Sequence, residues 1–306
     1  MPAPDPIAEH IANLRSIVAR LSLSAGTLSI LGAALDAKVG GTTLSPELQP
    51  HFDGMLQAMG ARASLDAIPA EALRPLLAEI RVSMLHGASL LFDTTRADGW
   101  SSTNPDLLRA AGDTSAGFIE PLSQQIVPKL AGLEERLQQG GDFLDIGCGI
   151  AALSIAVARK WPNVRVVGVD PWGPSMRIAR ENVRAAGVED RITLLQMPAE
   201  ELSDEKAFDL AWVPSPFIPP DAVKVILGKA FTALRPGGWI LFATVNPGTD
   251  EAAAAFARLR TALWGGGVWS TAEMESLLKS NGFVEVRALP APPGSPAAMI
   301  AGRRAE

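Results

Sequence analysis

The sequence predicts an α/β protein: a Rossmann-like, doubly wound, mainly parallel sheet with an antiparallel last strand, preceded by an all-α region. Three observations carry this. From residue 142 onward, short and continuously apolar runs alternate with helical stretches, as strands buried on both faces require. The first of these runs ends in the glycine-rich stretch "DFLDIGCGIA", a strand–turn–helix signature. Before residue 140 the apolar residues recur at intervals of three and four, the spacing of helices.

Taken in order, "IAEHIANLRSIVARLSLSAGTLSILGAAL" reads as a buried-stripe helix, and "GGTTLSPEL" as a break with a helix cap before Pro46. "SLDAIPAEALRPLLAEIRVSMLHGASLLF" is helical, with Pro69 and Pro75 near starts or kinks. "TTRADGWSSTNPDLLRAAG" reads as a loop or hairpin wing, then a helix that Asn104 and Pro105 start. "FIEPLSQQIVPKLAGLEERLQQGG" is expected to be one long amphipathic segment ending at two glycines. The strands follow as "FLDIG", "VRVVGVD", "ITLLQM", "FDLAWVP" and "GWILFATV", with helices between them. "STAEMESLLKSNGFVEVRAL" is a helix entering a strand, and beyond the turn "PAPPGSP" the strand "AAMIAGRR" must run antiparallel to it. The expected division is a helical region over 1–118 and a sheet domain over 119–306.

Composition narrows the function. The chain has 306 residues, 47% of them hydrophobic, and a formal charge of −6 with no basic run, so a nucleic-acid partner is not expected. A single cysteine excludes an internal disulfide. The N-terminus lacks a basic-then-apolar leader, and no uninterrupted apolar run approaches a membrane span, so no membrane partner and a cytoplasmic location are expected. No cluster has metal-ligand spacing. Tyrosine is absent and histidines number three, which leaves His86, in the apolar stretch "SMLHGASLLF", as the candidate general base.

The glycine turn admits two ligand classes. Read as G-x-G-x-x-A from Gly147, it fits a dinucleotide site, with Asp170, about 20 positions beyond, placed to accept from a ribose. Asp145 separates the two. A carboxylate inside the turn would repel a pyrophosphate and favour a cationic ligand.

On these residues the sequence resembles the class I S-adenosylmethionine-dependent methyltransferases, of the small-molecule type with a helical, winged-helix-like N-terminal domain. "FLDIGCGIAALSIA" resembles their first motif, "VVGVD" their second strand with its ribose acid, and "LRPGGWILFATV" their turn into strand five; "SLLKSNGFVEVRAL" resembles the lead into strand six. The resemblance implies that Asp145 and the backbone of Gly147, Cys148 and Gly149 hold the methionyl part, and that Asp170 holds the ribose. It places Pro171, Trp172, Pro198 and Ala199 around the adenine, with Val213, Pro214 and Ser115 also lining the cofactor. Trp100, Phe118, Phe217 and Trp264 are the implied substrate surface.

Two departures stand out. Ala151 replaces the family's third glycine, and "QMPAEEL" has no acid where the family binds the adenine amino group. "SPF" at 215–217 matches an amine-reading motif incompletely and is read as a rigid wall. The implied activity is transfer of a methyl group from S-adenosyl-L-methionine, giving S-adenosyl-L-homocysteine, to a small apolar or aromatic metabolite, with a homodimer through the N-terminal helices. The alternative is a protein of the same fold that uses the cofactor's charge for a non-methylating cyclisation or rearrangement.

Overall fold

The computed structural model describes residues 6–92, 99–246, 248, 250–290 and 297–306. The turn expected at "PAPPGSP" and part of the expected wing, 93–98, lie outside the described residues. The chain divides into two compact units, Met1–Phe92 and Asp93–Glu306.

Among its described residues the first unit holds four helices: α1 (Pro6–Gly40), α2 (Gln49–Ala58), α3 (Arg62–Ala67) and α4 (Ala70–Ser89). Helix α2 starts at Gln49, with no side-chain cap on Leu48, rather than at Pro46. Leu35, Leu56, Leu65, Leu73, Leu77 and Ile80 form its core, and Gly32 lets Ile80 of α4 lie close against α1. The amino half of α1 is different. Ile7, Ile11, Leu14, Val18 and Leu21, spaced alternately by four and three, are all exposed.

The overall hydropathy of α1 adds a feature that a count of uninterrupted runs does not register. Between Glu9 and Gly40 an 18-residue window reaches a mean hydropathy of 1.5, so α1 is long and apolar enough to cross a membrane by length and composition. Counting uninterrupted apolar runs missed it because scattered Ser, Thr and Gly break the runs without lowering the mean much.

The second unit opens with α5 (Pro105–Ala116), whose first turn is closed by Asn104, its side chain accepting from the N–H groups of Asp106 and Leu107. The next stretch is not one helix, contrary to expectation. It runs as α6 (Ile119–Pro121), a π turn (Leu122–Ile126), a 3-10 turn (Val127–Lys129) and α7 (Leu133–Gln139). Pro121 and Pro128 remove the donors that a continuous ladder would need. The sheet unit then proceeds as β1 (Asp142–Ile146), α8 (Ala152–Lys160), β2 (Arg165–Val169), α9 (Gly173–Ala186), β3 (Ile192–Leu195) and β4 (Phe208–Pro214). It ends with α10 (Pro220–Ala233), β5 (Leu234–Val245), α11 (Glu251–Leu263), α12 (Thr271–Ser280), β6 (Val284–Ala288) and β7 (Ala297–Arg303).

The sheet order is β3-β2-β1-β4-β5-β7-β6, with β7 antiparallel to both neighbours and the first five strands parallel. One face packs on α7, α8 and α9 and the other on α10 and α12, as two-sided apolar strands demand. The reversal of strand order between β1 and β4 creates a crevice at their carboxyl ends, the usual ligand position in such sheets.

Helix α5 belongs to this unit, so the division falls at 92 and not at 118. The reason is local packing: Gly112 of α5 lies against Ile150 in the glycine turn so closely that a Cβ there would overlap Ile150.

The amino edge of the sheet is held by charge. Asp209, nearly buried, accepts from Arg136, Arg235 and the Asp142 N–H (2.9 Å), while Asp142 pairs with Arg165 and Arg235. Asp209→Ala would take one partner each from Arg136 and Arg235 and strand the Asp142 N–H. It is expected to cost about 3 kcal/mol in chemical unfolding, whereas Arg165→Ala, at an exposed position, should cost under about 1 kcal/mol.

Candidate active site

Strand β1 ends at Ile146, and the chain turns at Gly147 (φ 68°) and Gly149 (φ 55°), both in the left-handed region that glycine tolerates. Ala151 also sits there (φ 60°) as the residue preceding α8, so the third-glycine position keeps its conformation at the cost of Cβ strain. Four of the turn's N–H groups are spent internally. Those of Gly147 and Cys148 donate to the Val169 carbonyl (2.8 and 3.2 Å), that of Gly149 to Asp170 Oδ2 (2.9 Å), and that of Ala151 to the Cys148 carbonyl (2.8 Å). A pyrophosphate cradle needs such donors free, and these four are already bonded.

What the turn presents instead is negative charge. Asp145 is 1% exposed and accepts from Ser154 Oγ of α8 at 2.6 Å. Burial pushes its carboxyl up to about 7, against the pull of the Ser154 hydrogen bonds, and the nearby Asp170 adds to the rise. Asp170, also buried, is raised by desolvation, although its two oxygens accept from the Gly149 and Trp172 N–H groups. Among the described residues no cationic side chain pairs with either acid. Two buried carboxylates without a counter-charge fit a cationic nucleoside such as S-adenosylmethionine, and a Cβ at Gly149 would meet nothing within 4 Å, leaving the turn open to a close ligand.

The other expected residues fall into groups. Pro214, at the end of β4, lies beside Gly147, and Val213 is buried behind it. Trp172 donates its indole N–H to the Ser102 carbonyl (2.7 Å), tying the segment before α5 to the end of β2; Pro171 beside it is exposed. Past β3, Pro198 is exposed and Ala199 buried, while Gln196, held by Arg180 at 3.0 Å, reaches toward Gly173. Ser115 turns its hydroxyl back to the Ala111 carbonyl (3.1 Å). Cys148 points its thiol into the core toward Met176, and burial raises its pKa well above normal, which leaves it an inert packing group.

The implied substrate residues split in two. Trp100, Phe217 and Trp264 pack on one another, Phe217 stacked on Trp264 (4.8 Å, 25°) and edge-on to Trp100 (5.5 Å, 75°). Phe118 instead stacks on Trp212 of β4 (4.7 Å, 29°). Ser215 donates to the Ala243 carbonyl (2.7 Å), which bolts "SPF" to β5. His86 stands on α4 in the other unit, partly exposed, its carbonyl accepting from Ser89 Oγ.

Three residues escaped the sequence reading: Ser154, which holds Asp145; Asn182, whose amide donates to the Ile150 carbonyl (3.0 Å); and Trp212. Each looks in sequence like an ordinary helix or core residue.

Neither of two surface hollows, of about 490 Å³ beside Asp204 and Lys229 and about 310 Å³ beside Arg136 and Asp209, contains Asp145 or Asp170. The chemistry of the turn, and not the size of a hollow, marks the site.

Strand order, turn and paired acids define a domain of the class I S-adenosylmethionine-dependent methyltransferase type. Residues 143–238 match the family described as "Methyltransferase domain". Among curated relatives, the malonyl-[acyl-carrier protein] O-methyltransferase of Priestia megaterium is 31% identical over 139 residues, 45% of this chain and 48% of the relative. The ubiquinone biosynthesis O-methyltransferase of Bordetella avium is 35% identical over 137 residues, 42% of this chain and 51% of the relative. The chain thus spans about half the length of these two relatives in each match. Over nearly the whole chain, the fold is shared with the mitomycin 7-O-methyltransferase MmcR (TM-score 0.59, 18% identity, 97% of this chain and 100% of that one).

Proposed function

We propose that this chain transfers a methyl group from S-adenosyl-L-methionine to a nucleophilic atom of a small apolar or aromatic metabolite, releasing S-adenosyl-L-homocysteine. The observation that supports this most is the buried Asp145–Asp170 pair, without a cationic partner among the described residues, beside a turn in which four N–H groups are already bonded. When bound, the cofactor supplies an electrophilic methyl group on a sulfonium. The chain's own task is to bind and orient.

Asp145 would hold the positively charged methionyl end, with Gly147, Cys148 and Gly149 along it. Asp170 would accept from ribose hydroxyls through the lone pairs left by Gly149 and Trp172. Pro171, Trp172, Pro198 and Ala199 would flank the base, and Val213, Pro214 and Ser115 the remainder. Trp100, Phe118, Phe217 and Trp264 would offer aromatic surface to the acceptor, in keeping with relatives named for ubiquinone biosynthesis and mitomycin. His86 is the proposed base for acceptors that need one. The exposed stripe at Ile7, Ile11, Leu14, Val18 and Leu21 favours a homodimer through the N-terminal helices, and the chain's acidity favours neither nucleic acid nor an anionic membrane surface.

The test is calorimetry of the full chain with S-adenosylmethionine, S-adenosylhomocysteine and NADH, followed by incubation with a panel of phenols, quinols and carboxylic acids. Binding of the first two ligands and formation of S-adenosylhomocysteine with a methylated acceptor is the expected result. Cofactor binding with a rearranged acceptor and no S-adenosylhomocysteine would support the non-methylating alternative. Binding of NADH alone would overturn both.

A further inference from the structure

Strand β4 lies between β1 and β5, and both of its faces are covered; six of its seven residues are buried and only Trp212 keeps solvent access. Trp212 packs against the core on one face of the sheet without being fully covered. Trp212 is the register partner of Asp145 on β1. Two residues earlier in each strand, Phe143 and Leu210 belong to the core on the α8 side, so Asp145 and Trp212 face that same side. There Ser154 reaches Asp145, and Phe118, itself partly open, lies nearly flat on the indole. The strand register thus places a buried carboxylate and an aromatic side chain side by side on this face.

The two groups do not discriminate alike. A carboxylate attracts the ammonium that S-adenosylmethionine and S-adenosylhomocysteine share. A π face stabilises a neighbouring cation and does little for a neutral thioether. We infer that Trp212, buttressed by Phe118, is a specificity-determining residue that makes the site prefer the sulfonium cofactor over its demethylated product. The inference rests on the proposed cofactor. It assigns to this pair the task of releasing product once the charge is gone.

The experiment compares dissociation constants of both compounds for the full chain, Trp212→Leu, Trp212→Phe and Phe118→Leu by calorimetry. Trp212→Leu is expected to weaken S-adenosylmethionine on the order of tenfold and to leave S-adenosylhomocysteine within about twofold. Trp212→Phe should restore most of the preference, and Phe118→Leu, at the outer ring, should lose part of it. Equal weakening of both compounds in the leucine variants, or an unchanged ratio in all three, would overturn the inference while the native chain's binding upholds the cofactor. A native chain that binds neither compound would overturn the cofactor reading and this inference with it.

Discussion

Asp145→Asn is expected to weaken S-adenosylmethionine on the order of a hundredfold and, without ligand, to make the chain more stable at pH 8 than the native protein. Both effects come from one buried charge. The native carboxyl titrates at about 7 in the folded state against 3.8 in a free side chain. A raised carboxyl contributes stability that is fully present below pH ~4 and is lost as pH rises through 7. The ionised group, 1% exposed and without a cationic neighbour among the described residues, therefore weakens the ligand-free fold at alkaline pH. Asparagine has the same shape and cannot ionise, so the gain at pH 8 should be roughly 2 kcal/mol, diminishing toward pH 4.

Ligand binding reverses the sign. A cation beside Asp145 favours ionisation, so native affinity should climb between pH 6 and 8, whereas that of the asparagine variant should not. Thermal unfolding and calorimetry across this range check both halves. Unchanged affinity in the variant, or a native affinity flat with pH, would show that the acid does not meet the ligand's charge.

Gly266→Ala is expected to be the most damaging of the single-methyl additions considered. A Cβ at Gly266 would overlap the carbonyl group of Pro216 and crowd that of Ser215, and both belong to the wall after β4 that Ser215 bolts to β5. The obstacle is backbone, which cannot rotate away as a side-chain tip can. We expect a loss of about 4 kcal/mol and a midpoint lower by roughly 10 °C. Gly26→Ala, in α1 with nothing within 4 Å of its Cβ, is the control and should be neutral or slightly stabilising. A small effect at Gly266 would mean that the loop from Trp264 to Trp269 moves away from the wall.

Much of the sheet unit could be read from the chain alone. Its strands are apolar on consecutive positions because helices cover both faces, and "FDLAWVP" is β4 from end to end. The acid, the two glycines and Asp170 were legible because they occupy one short turn and its neighbouring strand end. The segment from Phe118 to Gln139 was not: its apolar spacing suits a helix throughout, but Pro121 and Pro128 break the ladder into α6, two tight turns and α7. Nor did helical periodicity reveal which core α5 joins, since its stripe is compatible with either unit.

Local chemistry settled the strand and helix types, the glycine turn with its left-handed residues, the acidic character of that turn and the methyltransferase resemblance. These depend on neighbours a few residues apart, where side-chain size, φ preference and periodicity act directly. Pairing across the fold settled the rest: Trp212 beside Asp145 through the β1–β4 register, Ser154 beneath the acid, Gly112 against Ile150, and Gly266 against Pro216. Such contacts join segments far apart in the chain, and a tryptophan in an apolar strand carries no local mark of which carboxylate the sheet will set next to it.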